Sequence, residues 1–404
     1  MENINKKDYG LMISIIFFLN WGFIFLDRLT VSLTSEVLMK TLSLSPLQFS
    51  SLTAISTLAF AISSIVMGIV SDRTGWRKRI LVPFTIAAGV ISFSCSFTSS
   101  YTTLLILRTL VGFFQGPVMT LMIAILAQRS SKGTFGRNAG IVAAGVAVIA
   151  NTLGPILITQ TITAFDLFTV FKITGLLQIV IGIVVAMSIK EVEVSKTDNN
   201  KQVKSSMGQL FKNKNFVLCT IIGIFCMTGY WTTMIFAPMY LTNIMGMSTT
   251  QRGITSSVMG LIFIPLSLSV PFISDKIGRK PIMFVAYIAC ALSPLGMWIF
   301  AGTFISVVIY CIFGGFPAST QPLFANIIPM ESLPDHLKTS AAGTIQGLAE
   351  LFGGALWPLI AGGIAEYFGG IPSIMLIATV LLLACVLLSS MLIESNTRIA
   401  AKNK

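Results

Sequence analysis

Charge is scarce in this chain. Only 10% of its 404 residues are Asp, Glu, Lys or Arg, against about 25% in an ordinary soluble domain. Histidine is nearly missing: His336 is the single one, so no histidine-based metal cluster is available. The six cysteines, Cys95, Cys219, Cys226, Cys290, Cys311 and Cys385, form no CxxC pair and all fall in apolar stretches. They read as small hydrophobes in helix packing. There is no P-loop, no Ser-His-Asp arrangement, no metal-ligand set and no large polar domain. These absences argue against an enzyme, against a resident metal or cofactor, and against pumping driven by ATP. The first apolar run has no short hydrophobic region followed by a small-residue cleavage site, so it reads as a span, not a cleaved signal.

What is present is apolar. Hydrophobic residues make up 54% of the chain and the mean hydropathy is +0.86. Stretches of about 20 apolar residues, long enough to cross a bilayer, recur from end to end. Twelve spans are expected, at 9–33, 47–71, 80–99, 102–128, 137–161, 167–189, 216–244, 252–274, 281–301, 303–328, 339–366 and 371–393. A β-barrel would instead show weak alternation over about ten-residue segments. The expected fold class is an all-α polytopic membrane protein.

Basic residues outnumber acidic ones, 27 to 15, for a net charge of +12. If the N-terminus is cytoplasmic, 22 of the 27 basic residues fall on the cytoplasmic side and only Lys40, Lys172 and Arg252 fall on the other. That is the positive-inside pattern. It places both termini in the cytoplasm and makes the basicity a topology signal, not a nucleic-acid footprint. His336 then falls in the cytoplasmic turn between spans 10 and 11. Arg28 and Arg108 are left over, and both lie within spans.

The chain repeats itself. SDRTG at Ser71–Gly75 recurs as SDKIG at Ser274–Gly278, and the same offset of 203 residues joins Gly140 to Gly343 and Pro155 to Pro358. The expected domains are two six-helix bundles, 1–189 and 216–404, joined by a cytoplasmic linker over 190–215 that is rich in Lys, Asn and Ser. Parallel repeats of this kind put a substrate site near the bilayer midplane, between the halves. The turn after span 2, GIVSDRTGWRKR, carries Gly68, Asp72, Arg73, Gly75, Arg77 and Lys78 in a spacing that resembles the loop motif of the major facilitator superfamily. Trp76 replaces a usually basic residue, and in the second copy Pro271 stands where Gly is usual. The resemblance implies twelve helices in two pseudo-repeats. It also implies conformational gating by charge contacts at Asp72 and Arg73, to which Gly68, Gly75 and Arg77, and Asp275 and Arg279 of the second copy, are added. The alternative is that the loop signals topology alone.

Four charged residues stand out within spans: Asp27, Arg28, Arg108 and Glu350. A charge at a helix centre costs about 2.5–3.5 kcal/mol on the insertion scale, and such residues usually pair with something or line a cavity. At 1.5 Å per residue, Arg28 and Arg108 each lie about 10 Å outward of the middle of their spans. Glu350 and Gln115 lie near the middle. Two arginines at one level suit a clamp on an anion, because guanidinium forks match carboxylate and phosphate geometry. Asp27 would balance Arg108 when the site is empty. A fixed helix–helix ion pair between Asp27 and Arg108, with no ligand, is the other reading.

FLDRLTVS at Phe25–Ser32 and RTLVGFFQGP at Arg108–Pro117 resemble the first- and fourth-helix signatures of the anion:cation symporter family within that superfamily, and GLAELFGG in span 11 adds to the likeness. This implies that Arg28 and Arg108 bind a substrate anion and that Asp27 takes part in proton coupling. One position departs from the family. The usual fourth-helix acid is Gln115 here, and glutamine carries no proton. Span 11 has Glu350 where the family commonly has Asn, so the protonatable group is expected to have moved to Glu350. The competing expectation is that coupling is altered, giving antiport or uniport. Trp21, Tyr230, Trp231 and Trp357 are candidate walls of the substrate site, with Ser319, Thr320, Gln321 and Gln346 as hydrogen-bonding groups and Gln115 as a further contact. Each of these also fits ordinary packing between helices.

The expected function is a secondary active transporter of a small organic anion, a sugar acid or other carboxylate, working by proton symport. With Asp27 and Glu350 ionised the four charges cancel; one proton leaves the site at +1, suited to a monocarboxylate. The rivals are an antiporter of organic anions or phosphate esters, an exporter of the same fold, and a membrane anion sensor that does not transport. The expected partners are the small anionic substrate, protons and the bilayer, with no nucleic acid. The chain is expected to be a monomer in the cell membrane.

Overall fold

The computed structural model describes residues 6–129, 135–189, 207–333, 335–367 and 370–395. The side chains of some helix residues, Asp72 and Arg73 among them, lie outside that description, as do residues 190–206 of the expected linker. Twelve described helices are long and apolar enough to cross a membrane, by length and composition. They run Tyr9–Leu33, Pro46–Gly68, Arg77–Phe97, Tyr101–Leu126, Gly140–Ala164, Leu167–Ser188, Lys214–Asn243, Thr249–Ile277, Arg279–Ile299, Phe304–Ile327, Gly343–Tyr367 and Gly370–Ser390, and are called spans 1 to 12. No strand occurs among the described residues. The physical reason is that hydrocarbon offers no partner to a backbone N–H or C=O, and a helix satisfies both within one segment.

The chain divides into two compact units. The first comprises Met1–Ser195 with Met247–Ser257, and the second Lys196–Gly246 with Val258–Lys404. In the first unit, span 3 packs on span 6, span 2 on span 4, and span 1 on spans 5 and 6. Small residues permit this. A Cβ on Gly145 would stand 2.2 Å from the Phe18 carbonyl oxygen, so spans 1 and 5 touch backbone to backbone there. Such contact supplies the dispersion that holds helices together where lipid is as apolar as leucine. In the second unit, span 9 packs on span 12, and span 7 on spans 11 and 12. Span 7 is the axis of that unit: 78% of its apolar window is buried, more than in any other of the twelve.

Polar residues set the helix ends. Span 2 opens on a capping box in which Ser45 Oγ accepts from the Gln48 N–H at 3.2 Å and Gln48 Oε1 from the Ser45 N–H at 3.0 Å. The same box recurs 203 residues later: Ser248 Oγ accepts from Gln251 N at 3.3 Å, and Gln251 Oε1 from Ser248 N at 2.9 Å. Span 6 opens on exposed Asp166, which accepts from the Thr169 N–H at 2.6 Å. That backbone hydrogen bond holds its carboxyl below the ordinary aspartate value.

Both copies of the charged turn end on a glycine of positive φ. Gly75 has φ 73° and donates its N–H to Ser71 O at 2.8 Å; Gly278 has φ 118° and donates to Ser274 O at 3.1 Å. Residues with a Cβ rarely take such angles. The repeat reaches the backbone of spans 5 and 11 as well. Both widen to π-helical bonding, at Val146–Leu153 and at Glu350–Leu356, segments that coincide at the 203-residue offset to within one residue at the start and match at the end.

Candidate functional site

In the first unit the site is built around Asp27. This side chain has no exposed surface, and each of its oxygens is held. Oδ1 accepts from Ser92 Oγ of span 3 and from Thr174 Oγ1 of span 6 at 3.2 Å. Oδ2 accepts from Arg108 Nη1 at 3.1 Å and from Gln115 Nε2 at 2.9 Å, both on span 4. Arg108 also donates Nη2 to the Asp27 carbonyl oxygen at 3.2 Å. Four spans therefore converge on one carboxylate. Arg108 is 2% exposed, with buried Cys95 beside it. A buried pair of this kind gains little over apolar packing, but removing one partner strands the other charge.

Arg108, Gly112 and Gln115 share one buried face of span 4, as the heptad spacing requires. Gln115 donates onward to Gln178 Oε1 at 3.4 Å, while its own Oε1 has no hydrogen-bond partner. The Gln115 amide is thus spent as a donor to Asp27.

Arg28 points elsewhere. Its guanidinium carbon lies 4.4 Å from the centre of the Phe60 ring and 5.1 Å from that of Phe25, a cation–π setting on a half-buried side chain. Adjacent helix residues diverge by about 100°, so the Arg28 guanidinium reaches rings on a different side of span 1 from the Asp27 carboxylate. Trp21 is 8% exposed, belongs to the apolar core with Met122 and Val118, and meets Phe25 edge to face at 4.9 Å.

The second unit holds its own polar cluster. Glu350 Oε2 accepts from Trp231 Nε1 at 3.3 Å and Oε1 from Gln346 Nε2 at 3.3 Å. Gln346 Oε1 in turn accepts from Gln321 Nε2 at 3.0 Å. Tyr230 meets Trp231 edge to face, with ring centroids 5.5 Å apart. Trp357 donates to Thr232 Oγ1 at 2.8 Å. Ser319 does not join the cluster: it is fully buried and its hydroxyl donates to Phe316 O at 2.7 Å.

At the turns, Arg77 Nη1 donates to the Ala124 carbonyl at 3.1 Å, and Gly68 has open space around it. The gating roles expected of Asp72 and Arg73 fall on side chains outside the described set. Arg279 is 6% exposed and grips Glu331 through Nη2 at 2.8 Å and Nε at 3.2 Å. Its Nη1 lies 2.6 Å from Asp275 Oδ1. Glu394 receives the Arg279 and Lys280 N–H groups at 3.0 and 3.1 Å, an acid on the start of span 9.

Ser92, Thr174 and Gln178 were not expected as partners from the sequence; each stands in an apolar span, so a polar residue in an apolar run was the available signal. Arg252, assigned to the outer surface, is fully buried in the first unit with Nη1 3.5 Å from Glu36 Oε2. Among the described residues no group of three or more His, Cys, Asp or Glu is placed to hold a metal ion.

Twelve apolar helices in two repeated units, with ionised side chains paired inside the spans, are the build of a membrane transporter. Residues 11–358 match the model of the Major Facilitator Superfamily, and the chain belongs to that superfamily. Its curated relatives include a putative metabolite transport protein of Haemophilus influenzae, 22% identical over 377 residues, 88% of this chain and 89% of that one. A hexuronate transporter of Bacillus subtilis is 24% identical over 302 residues, 69% of each chain. Among solved structures, a D-xylose-proton symporter matches with a TM-score of 0.74 at 17% identity, over 96% of this chain and 98% of that one. That likeness speaks for the fold.

Proposed function

We propose that this chain carries a small organic anion, a sugar acid or another carboxylate, across the cell membrane together with a proton, by alternating access. The observation that carries the reading is the buried Asp27–Arg108 pair, 3.1 Å apart. A proton on Asp27 cancels the charge that holds Arg108 and leaves the guanidinium for a substrate carboxylate. Loss of the proton restores the pair and expels the anion. Arg28, beside Asp27 on span 1, supplies a second cation. The hexuronate transporter among the relatives moves a sugar acid by its name, which agrees with this class. Asp27 takes the proton in this scheme. Glu350 is the second acid able to take one, and its neutral variant separates the two.

Both termini face the cytoplasm on the positive-inside pattern, and the chain works as a monomer. The charged turns, with Asp72, Arg73, Asp275 and Arg279, gate the cycle. A second reading, exchange of organic anions or phosphate esters without net proton movement, is favoured by Gln115, which has no proton to give.

Purified protein in liposomes with an internal pH dye tests the two. Aldonates, uronates, dicarboxylates and phosphate esters are added outside. Internal acidification with one acid, absent in Arg108→Ala, is the expected result. Radiolabel exchange with a silent dye would replace symport with antiport.

A further inference from the structure

Glu350 raises a separate question. It occupies the first residue of the widened backbone in span 11 and is half buried. Its two oxygens are held from two sides, by Trp231 of span 7 and by Gln346 one turn earlier. Gln321 of span 10 fixes the Gln346 amide, so that its NH2 faces the carboxylate. Trp231 is 3% exposed. Three spans thus set the orientation of one acid. That is the arrangement of a preorganised recognition group, and π-bulges of this sort are frequent at functional sites. A glutamine at 350 would take one of these N–H groups on its carbonyl oxygen and turn its own NH2 toward the other, whereas the carboxylate accepts both.

The chemistry of the cluster limits what it takes. An ionised carboxylate accepts hydrogen bonds and donates none. It suits hydroxyl groups and turns away a second carboxylate or a phosphate by like-charge repulsion, the negative half of specificity.

We infer that Glu350, held by Trp231, Gln346 and Gln321, is the specificity element that admits polyhydroxy monocarboxylates and rejects dianions. The inference rests on the organic-anion reading above and narrows its substrate class.

The test uses acid pairs that differ only at the far end, where CH2OH is replaced by a carboxylate: D-gluconate and D-glucarate, D-galactonate and D-galactarate, D-mannonate and D-mannarate. Binding to the purified full chain and uptake into liposomes are measured for wild type and Glu350→Gln, with Glu350→Asn as a second neutral variant if the first does not fold. The wild type is expected to prefer the monoanion of at least one pair by more than tenfold. Either neutral variant is expected to bring that ratio below about threefold by gaining the dianion. An unchanged ratio in the neutral variant overturns the inference, as does a wild type that takes both members equally. A neutral variant that keeps the ratio but no longer acidifies the lumen assigns the carboxylate to proton transfer instead. Should the wild type bind none of the six acids, the inference fails; the organic-anion reading fails only if the uronates, other dicarboxylates and phosphate esters of the liposome panel are silent too.

Discussion

Arg108 holds Asp27 at two points: Nη1 lies 3.1 Å from the carboxylate and Nη2 3.2 Å from the same residue's carbonyl oxygen. The second bond ties the guanidinium to the backbone of span 1 as well as to the carboxylate.

Removing either partner has a different signature. Arg108→Ala leaves Asp27 buried without its counter-charge and is expected to cost about 3–5 kcal/mol of stability as well as uptake. Asp27→Asn keeps the shape and retains anion binding, but loses coupled proton entry. Thermal unfolding in detergent, alongside dye and radiolabel uptake, separates the two. Equal behaviour of the two variants would remove Asp27 from the coupling scheme.

Gln115 stands 2.9 Å from Asp27 Oδ2. Gln115→Glu would set a second proton-binding group beside Asp27 and is expected to change the ratio of lumen acidification to radiolabel uptake. A ratio equal to that of the wild type would count against Asp27 as the proton site.

The two turn glycines differ in what they tolerate. Gly75, at φ 73°, sits in the left-handed region, where alanine costs about 1–2 kcal/mol. Gly278, at φ 118°, has no such refuge, and a Cβ there would lie 2.7 Å from Glu394 Oε2. Gly278→Ala is expected to destabilise by about 1–3 kcal/mol and more than Gly75→Ala. Unfolding midpoints of the two variants, measured side by side, decide the order.

Span 5 supplies an internal control. A Cβ on Gly145 would meet the Phe18 carbonyl at 2.2 Å, whereas nothing lies within 4 Å of one on Gly140. Gly145→Ala is expected to cost about 1–3 kcal/mol as overpacking. Gly140→Ala should be neutral or slightly stabilising, since alanine is the better helix former by about 1 kcal/mol. Similar losses in both variants would argue that backbone freedom, not close contact, matters along this span.

Much of the fold was legible because its signal is local. A span announces itself as a run of apolar residues, and the ends expected from the sequence fall within a few residues of the helices observed. The repeat was visible in SDRTG and SDKIG, yet its clearest structural copy, the Ser45–Gln48 and Ser248–Gln251 boxes, went unread because a short polar pair carries little weight beside long apolar runs. Asp27 and Arg108 could be named as partners from their depth. Gln115 was read for the proton it lacks, while the structure shows the hydrogen bond it gives.

What the sequence alone determined is the solvent and the scaffold: a bilayer, an all-helical chain, twelve spans, and a handful of charges too expensive to be incidental. Tertiary structure alone decided where those charges go. The ligands of Asp27 lie 65, 81, 88 and 147 residues away along the chain. No periodicity within a span encodes such partners. Helix packing chooses the facing side, and only then does the penalty on an unpaired buried charge select serine, threonine, glutamine and arginine around one carboxylate.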